Sequence, residues 1–168
     1  VWVCVFVFFF NDTATTEIYL FPYTTLSDLD VYHEVYKLES FHRAAHQPDV
    51  LGMVEQIYGK PAMPHPQKIA RLWFPHYTEH TTPAHQDFVH FQGNFQTLTC
   101  WAPVGDCPRE LGGLAMLAGS HKTDQVLEHH FSLGAGALDV ELGEEERVRA
   151  WHSTDYEIGD TQIGRAHV

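Results

Sequence analysis

The chain has 168 residues, 44% hydrophobic and 19% charged, with 22 acidic against 10 basic side chains and a net charge of −12. That balance excludes a phosphate-backbone partner, which wants clustered Lys and Arg, and no apolar run reaches the roughly 18 residues needed to span a bilayer. Three widely spaced cysteines form neither a disulfide framework nor a zinc knuckle, and a soluble, reducing cytoplasm is the expected setting.

In chain order, Val1–Phe10 (VWVCVFVFFF) lacks the basic leader and small-residue cleavage site of a signal peptide. Asn11–Tyr19 (NDTATTEIY) back-translates to a string that resembles a common sequencing-library adapter, and Leu20–Leu29 continues it with one base dropped. At the other end, Ile163–Val168 (IGRAHV) back-translates to the opposite adapter. Residues 1–29 and 162–168 are therefore expected to be adapter-derived and are set aside, which leaves residues 30–161 as a partial domain.

Within that domain, residues 30–59 read as helical. Val31, Val35, Leu38 and Phe41 or His42 recur at helical spacing until Pro48. Asp49 is a plausible cap for a second helix carrying Leu51, Val54, Ile57 and Tyr58, with Gly59 as its stop. Lys60–Pro66, with three prolines, is a connector. Residues 67–161 turn to short β-like runs at Lys68–Phe74, Phe88–Phe91, Gln96–Pro103, Gly113–Ala118 and Tyr156–Thr161. Helices first and short strands afterward predict a mainly β chain with N-terminal helices (α+β), a β-sandwich or jelly roll with the helices packed outside. The charge run Asp139–Arg149 reads as solvated.

Thirteen histidines outnumber the 10 Lys and Arg and point to a metal or a near-neutral base without locating it. The spacing that locates it is His85-Gln86-Asp87. On a strand, positions i and i+2 project from one face, so an imidazole and a carboxylate can meet one cation. A third ligand would complete the two-histidine, one-carboxylate face of non-haem Fe(II) oxygenases. By itself an H-x-D triplet is a weak signal.

Four stretches in order make it stronger: H-Q-D at His85–Asp87, T-C-W-A-P at Thr99–Pro103, the Gly-rich run Asp106–Lys122, and D-Y-E-I-G-D-T at Asp155–Thr161. Over about residues 68–161 this text resembles the phytanoyl-CoA dioxygenase family. The resemblance implies a double-stranded β-helix (jelly roll), here incomplete at the C-terminus. It also implies a dioxygenase that uses Fe(II), 2-oxoglutarate and O2 to hydroxylate a small organic substrate. Carried over residue by residue, His85 and Asp87 become two iron ligands, and Trp101 lines the co-substrate pocket. Thr99, on the same strand face, becomes a donor to a 2-oxoglutarate carboxylate, and Arg71 a pocket polar group. A carboxylate at Asp87 implies hydroxylation, since halogenating relatives carry a small residue there. In the resembled family the distal histidine and the 2-oxoglutarate-binding arginine follow the turn that Gly159-Asp160 matches. Natural sequence is expected to stop at Thr161, so both are expected to be absent and the chain as written inactive. His167 is set aside because it lies in the adapter-like tail and comes early.

The other histidines read as structural or surface. His90, three past Asp87, should face away from the pair on a strand. His76 and His80 sit at helical zinc spacing without the H-E-x-x-H glutamate, among loop-forming Pro75 and Pro83. His121, His129, His130 and His152 show no partner pattern, Cys100 reads as a buried strand residue, and Cys107 as a loop thiol. Two competing readings remain: a cupin-like metal protein without 2-oxoglutarate, and a binding module on a degenerate oxygenase scaffold. Neither membrane nor nucleic acid is an expected partner, and the oligomeric state is left open.

Overall fold

A computed structural model describes residues 2–10, 26–73, 82–91, 94–122, 125–131, 138–143 and 150–165. The helical expectation holds, with one added break. Helix α1 spans Leu26–Lys37 and α2 spans Glu39–Ala44, separated at Leu38, whose backbone is extended (φ −74°, ψ 121°). The break lets the chain turn and bury Phe41, whose ring meets that of Tyr36 edge-on at 5.2 Å. Helix α3 spans Pro48–Tyr58. Its N-cap is Gln47 rather than Asp49. Pro48 needs no amide partner in the first turn, and Asp49 places its charge there instead. Gly59 ends the helix as expected: it adopts φ 67°, and its N–H donates to the Glu55 carbonyl at 2.8 Å.

The main sheet has four antiparallel strands in the order β2-β1-β3-β8. Strand β1 is Trp2–Phe10, β2 is Met63–Trp73, β3 is Leu98–Pro103 and β8 is Gln162–Arg165. Strand β1 pairs with β2 from Trp2↔Trp73 to Phe10↔Met63, and with β3 from Cys4↔Pro103 to Phe9↔Leu98. Strand β8 pairs with β3 from Leu98↔Arg165 to Trp101↔Gln162. Both β1 and β8 lie in the terminal segments expected to be set aside; in β1 a continuous apolar run rich in Val and Phe is a strong strand former.

Two small ribbons complete the described strands: β4 (Met116–Leu117) with β7 (Trp151–His152), and β5 (His129–Phe131) with β6 (Leu138–Val140). The described residues are thus a mixed α+β arrangement of helices and short antiparallel strands that do not close a barrel. Two expected strands differ. Phe88–Phe91 is a helical turn, α4, wound by bonds from the Val89 and His90 amides to the Gln86 and Asp87 carbonyls. In the second, only Tyr156 bridges, to Cys107. The chain then turns at Gly159 (φ 100°), where the Asp160 carboxylate accepts from the Glu157 amide at 2.9 Å.

The core sits where α3 lies over β3. Ala45, Val54, Leu98 and Cys100 are buried together, flanked by Val50, Leu51, Tyr58, Ala62 and Ile163. Cys100 is a buried strand residue, as expected, and burial pushes its thiol up to about 12. Among the described residues, no helix is long and apolar enough to cross a membrane.

Candidate metal centre

Side chains alternate along β3, so its two faces meet different neighbours. Leu98 and Cys100 face the helices, whereas on the other face Thr99 reaches the loop that carries the His-Gln-Asp triplet and Trp101 packs on Tyr156. His85 and Asp87 do not lie on a strand. They sit in the irregular segment Thr82–Asp87 that leads into α4. Pro83 has no amide to give to a ladder, and the helical turn begins at once, so extended pairing does not form. The loop nevertheless brings the two side chains together as the i, i+2 argument required, by another route.

His85 Nε2 stands 3.3 Å from Asp87 Oδ1, with the two side chains 26% and 22% exposed. On the far side of the imidazole, Nδ1 lies 2.8 Å from the Pro83 carbonyl oxygen. A carbonyl only accepts, so Nδ1 carries the hydrogen and Nε2 of the neutral ring presents a lone pair to the carboxylate. Asp87 is held similarly: the Thr99 hydroxyl donates to Oδ2 at 2.9 Å, which leaves Oδ1 for His85. Two acceptors facing each other at this distance are satisfied by a proton or by a cation. The proton's share of that demand is visible in His85. Burial opposes its charge, but the hydrogen bond and charge of Asp87, aided by the Pro83 carbonyl, outweigh burial and raise its pKa.

The same geometry is the test of metal fit. Two donors about 2.1 Å from one cation and at a right angle stand about 3 Å apart, close to the observed separation. Each donor also has its outer atom tied down, as metal-ligating histidines and carboxylates usually do. The pair therefore fits two of the three positions expected of an iron site. Among the described residues, no group of three or more His, Cys, Asp or Glu could hold a metal ion.

His90 does not face away. In α4 its ring comes edge-on to His85 with centroids 5.7 Å apart, because a helical turn rotates it toward the pair where a strand would not. Burial, and then the charge of His85, push its pKa down to about 4. His129 is half-buried and bonded rather than free on the surface. Its Nε2 accepts the Gln86 amide at 2.9 Å, its Nδ1 lies 2.8 Å from the Leu127 carbonyl, and burial lowers its pKa. Position 86, which the triplet motif leaves free, is itself buried and bonded through both ends of its amide. Neither residue carries a spacing signal. Only knowing that the triplet lies in a loop pinned by a hairpin would have marked them.

Trp101 is 2% exposed and tilts over Tyr156 with ring centroids 4.7 Å apart, beside Cys107 and Leu114. Tyr156 is held there by paired backbone bonds with Cys107, at 2.7 and 3.0 Å. Gly113 packs closely beneath: an added Cβ would meet Cys107 Sγ at 3.0 Å, a tight contact that fits the close-packing role its motif suggested. Arg71 is half-buried on β2, and its charge weakly opposes protonation of both His85, whose pKa is nevertheless raised, and His90. His76 and His80 lie outside the described residues, and His121, His130 and His152 are exposed.

No solved structure matches the chain. The family model described as Phytanoyl-CoA dioxygenase (PhyH) matches residues 14–151. That family is in general one of Fe(II)- and 2-oxoglutarate-dependent oxygenases. The clamped His85–Asp87 pair and a match over most of its length agree: this chain belongs to the phytanoyl-CoA dioxygenase family.

Proposed function

We propose that this chain carries part of the iron site of a 2-oxoglutarate-dependent dioxygenase that hydroxylates a small organic substrate. The observation that carries the reading is the facing of His85 Nε2 and Asp87 Oδ1 at 3.3 Å, each with its outer atom already bonded. In this reading His85 and Asp87 hold Fe(II), and Thr99 orients Asp87 rather than meeting co-substrate directly. Arg71 supplies positive charge near the site that suits a dicarboxylate, and Trp101 walls the same face of β3. Bound iron and 2-oxoglutarate supply oxidative decarboxylation, which couples O2 to substrate hydroxylation. The half-buried ring of His90, its pKa pushed down to about 4 by burial, keeps a second charge from the pair. A carboxylate at Asp87 fills the position that halogenation would need open.

We read the strands as part of a jelly roll, residues 30–161 as the natural segment, and free Cys100 and Cys107 as suited to a reducing cytoplasm. The chain as written we read as inactive. The competing reading is a binding module on an oxygenase scaffold. Titration with Fe(II) under anaerobic conditions, followed by 2-oxoglutarate, separates the two. The oxygenase reading expects Fe(II) binding that His85→Ala and Asp87→Ala each lower at least about tenfold. Wild-type affinity in both variants would sink it.

A further inference from the structure

The cross-strand pair His129↔Val140 of the β5–β6 ribbon touches the metal loop on either side of His85. The Val140 amide donates to the Ala84 carbonyl at 2.8 Å, and the Gln86 amide donates to His129 Nε2 at 2.9 Å. Residues 84 and 86 are the immediate neighbours of His85, so the ribbon grips its backbone at both ends. The Gln86 side chain adds a second grip one turn away: its Nε2 donates to the Gln125 carbonyl at 3.0 Å, and its Oε1 accepts the Leu127 amide at 2.8 Å. The Leu127 carbonyl in turn accepts from His129 Nδ1 at 2.8 Å, since a carbonyl cannot donate. That bond selects the neutral tautomer whose Nε2 lone pair is needed to receive the Gln86 amide. Every polar partner in this circuit is consistent, and each is fixed by the one before it.

We propose that Gln86 and His129 are positioning residues, which clasp the triplet loop to the β5–β6 ribbon and so aim His85 at the cation shared with Asp87. The clasp does for the loop what a strand ladder would have done: it replaces regular pairing with side-chain acceptors, in a segment where Pro83 and the turn into α4 prevent pairing. The inference rests on the metal reading for its purpose, but not for its existence.

Two measurements on the full chain test it separately. In the metal-free protein, hydrogen exchange of the Gln86 amide should be slow in wild type, fast in His129→Phe, and slow again in His129→Gln, whose amide oxygen reaches the place of Nε2. A Gln86 amide that exchanges freely in wild type overturns the clasp without needing any variant to fold. In the second measurement, Mn(II) is the probe, with the free ion counted by electron paramagnetic resonance. Affinity should fall about tenfold in His129→Phe and in Gln86→Met, and return to within about twofold of wild type in His129→Gln. Unchanged affinity in His129→Phe, or equal loss in the Phe and Gln variants, overturns the positioning role. Should wild type bind no Mn(II), or His85→Ala bind as well as wild type, the metal reading and the positioning role fall together. A slow Gln86 amide would then still establish the clasp as a structural device.

Discussion

Strand β3 offers a comparison within six residues. On one face Leu98 and Cys100 press into an apolar core under α3, where any well-shaped hydrophobe would serve. On the other face Thr99 reaches the Asp87 carboxylate, and Trp101 covers a Tyr156 ring held by paired backbone bonds. The strand is buried on both sides, yet the first face depends on volume and the second on the identity and direction of single atoms. Damage to the first should therefore appear as lost stability with the site's chemistry intact. Damage to the second should appear in metal affinity while the fold survives.

The largest effect expected from breaking that contrast is on the helix side. Leu98→Ala should cost about 2–5 kcal/mol in urea unfolding, because α3 cannot collapse fully onto the space left. The protein that remains folded should bind Mn(II) as wild type does. Site chemistry lost in proportion beyond the unfolded fraction would show that the two faces are not separable.

A smaller effect belongs to the site side. Thr99→Val keeps shape and removes the donor to Asp87 Oδ2. Metal affinity should drop about tenfold, while Thr99→Ser, which restores a hydroxyl, should recover most of it. Equal affinity in Val and Ser variants would place Thr99 with the packing residues.

The smallest effect is one of slope. His65, on β2, is 1% exposed, with Nδ1 accepting the Gln67 amide and Lys68 adjacent. Burial lowers its pKa, and the charge of Lys68 adds to this. A depressed folded value means that its contribution to stability is complete above the unfolded value of about 6.5 and is lost as pH falls through the folded one. His65→Asn, whose carbonyl can still accept the Gln67 amide, should weaken the protein at every pH yet flatten the decline below about pH 6.5. Parallel stability curves for the two proteins would exclude His65 as a source of acid lability.

Much of this arrangement was legible in the residues alone. Helical spacing and Gly59 marked α3, the run ending at Pro103 marked β3, and His85 with Asp87 marked the pair. What escaped reading shares one cause: short segments whose conformation is set by distant partners. Phe88–Phe91 has strand-like composition, and four residues are too few for periodicity to distinguish a turn of helix from a strand. His129 follows an acidic residue, and only a hairpin partner at Val140 turns it inward to meet Gln86. The loop conformation around His85 follows from Pro83, two residues before it, whose missing amide bars a ladder there. Strand β8 falls in a segment that resembles adapter, and β1 in the stretch that precedes one, grounds that say nothing about their capacity to pair.

Strand β1 has one more implication. It runs antiparallel to both β2 and β3, so those two run parallel to each other across one intervening strand, about 9.5 Å apart. The space between them is filled by one strand, which fixes its width and polarity. It is a mould for one extended segment running opposite to both walls, and any sequence that replaced Trp2–Phe10 there would have to match that direction and much of that length.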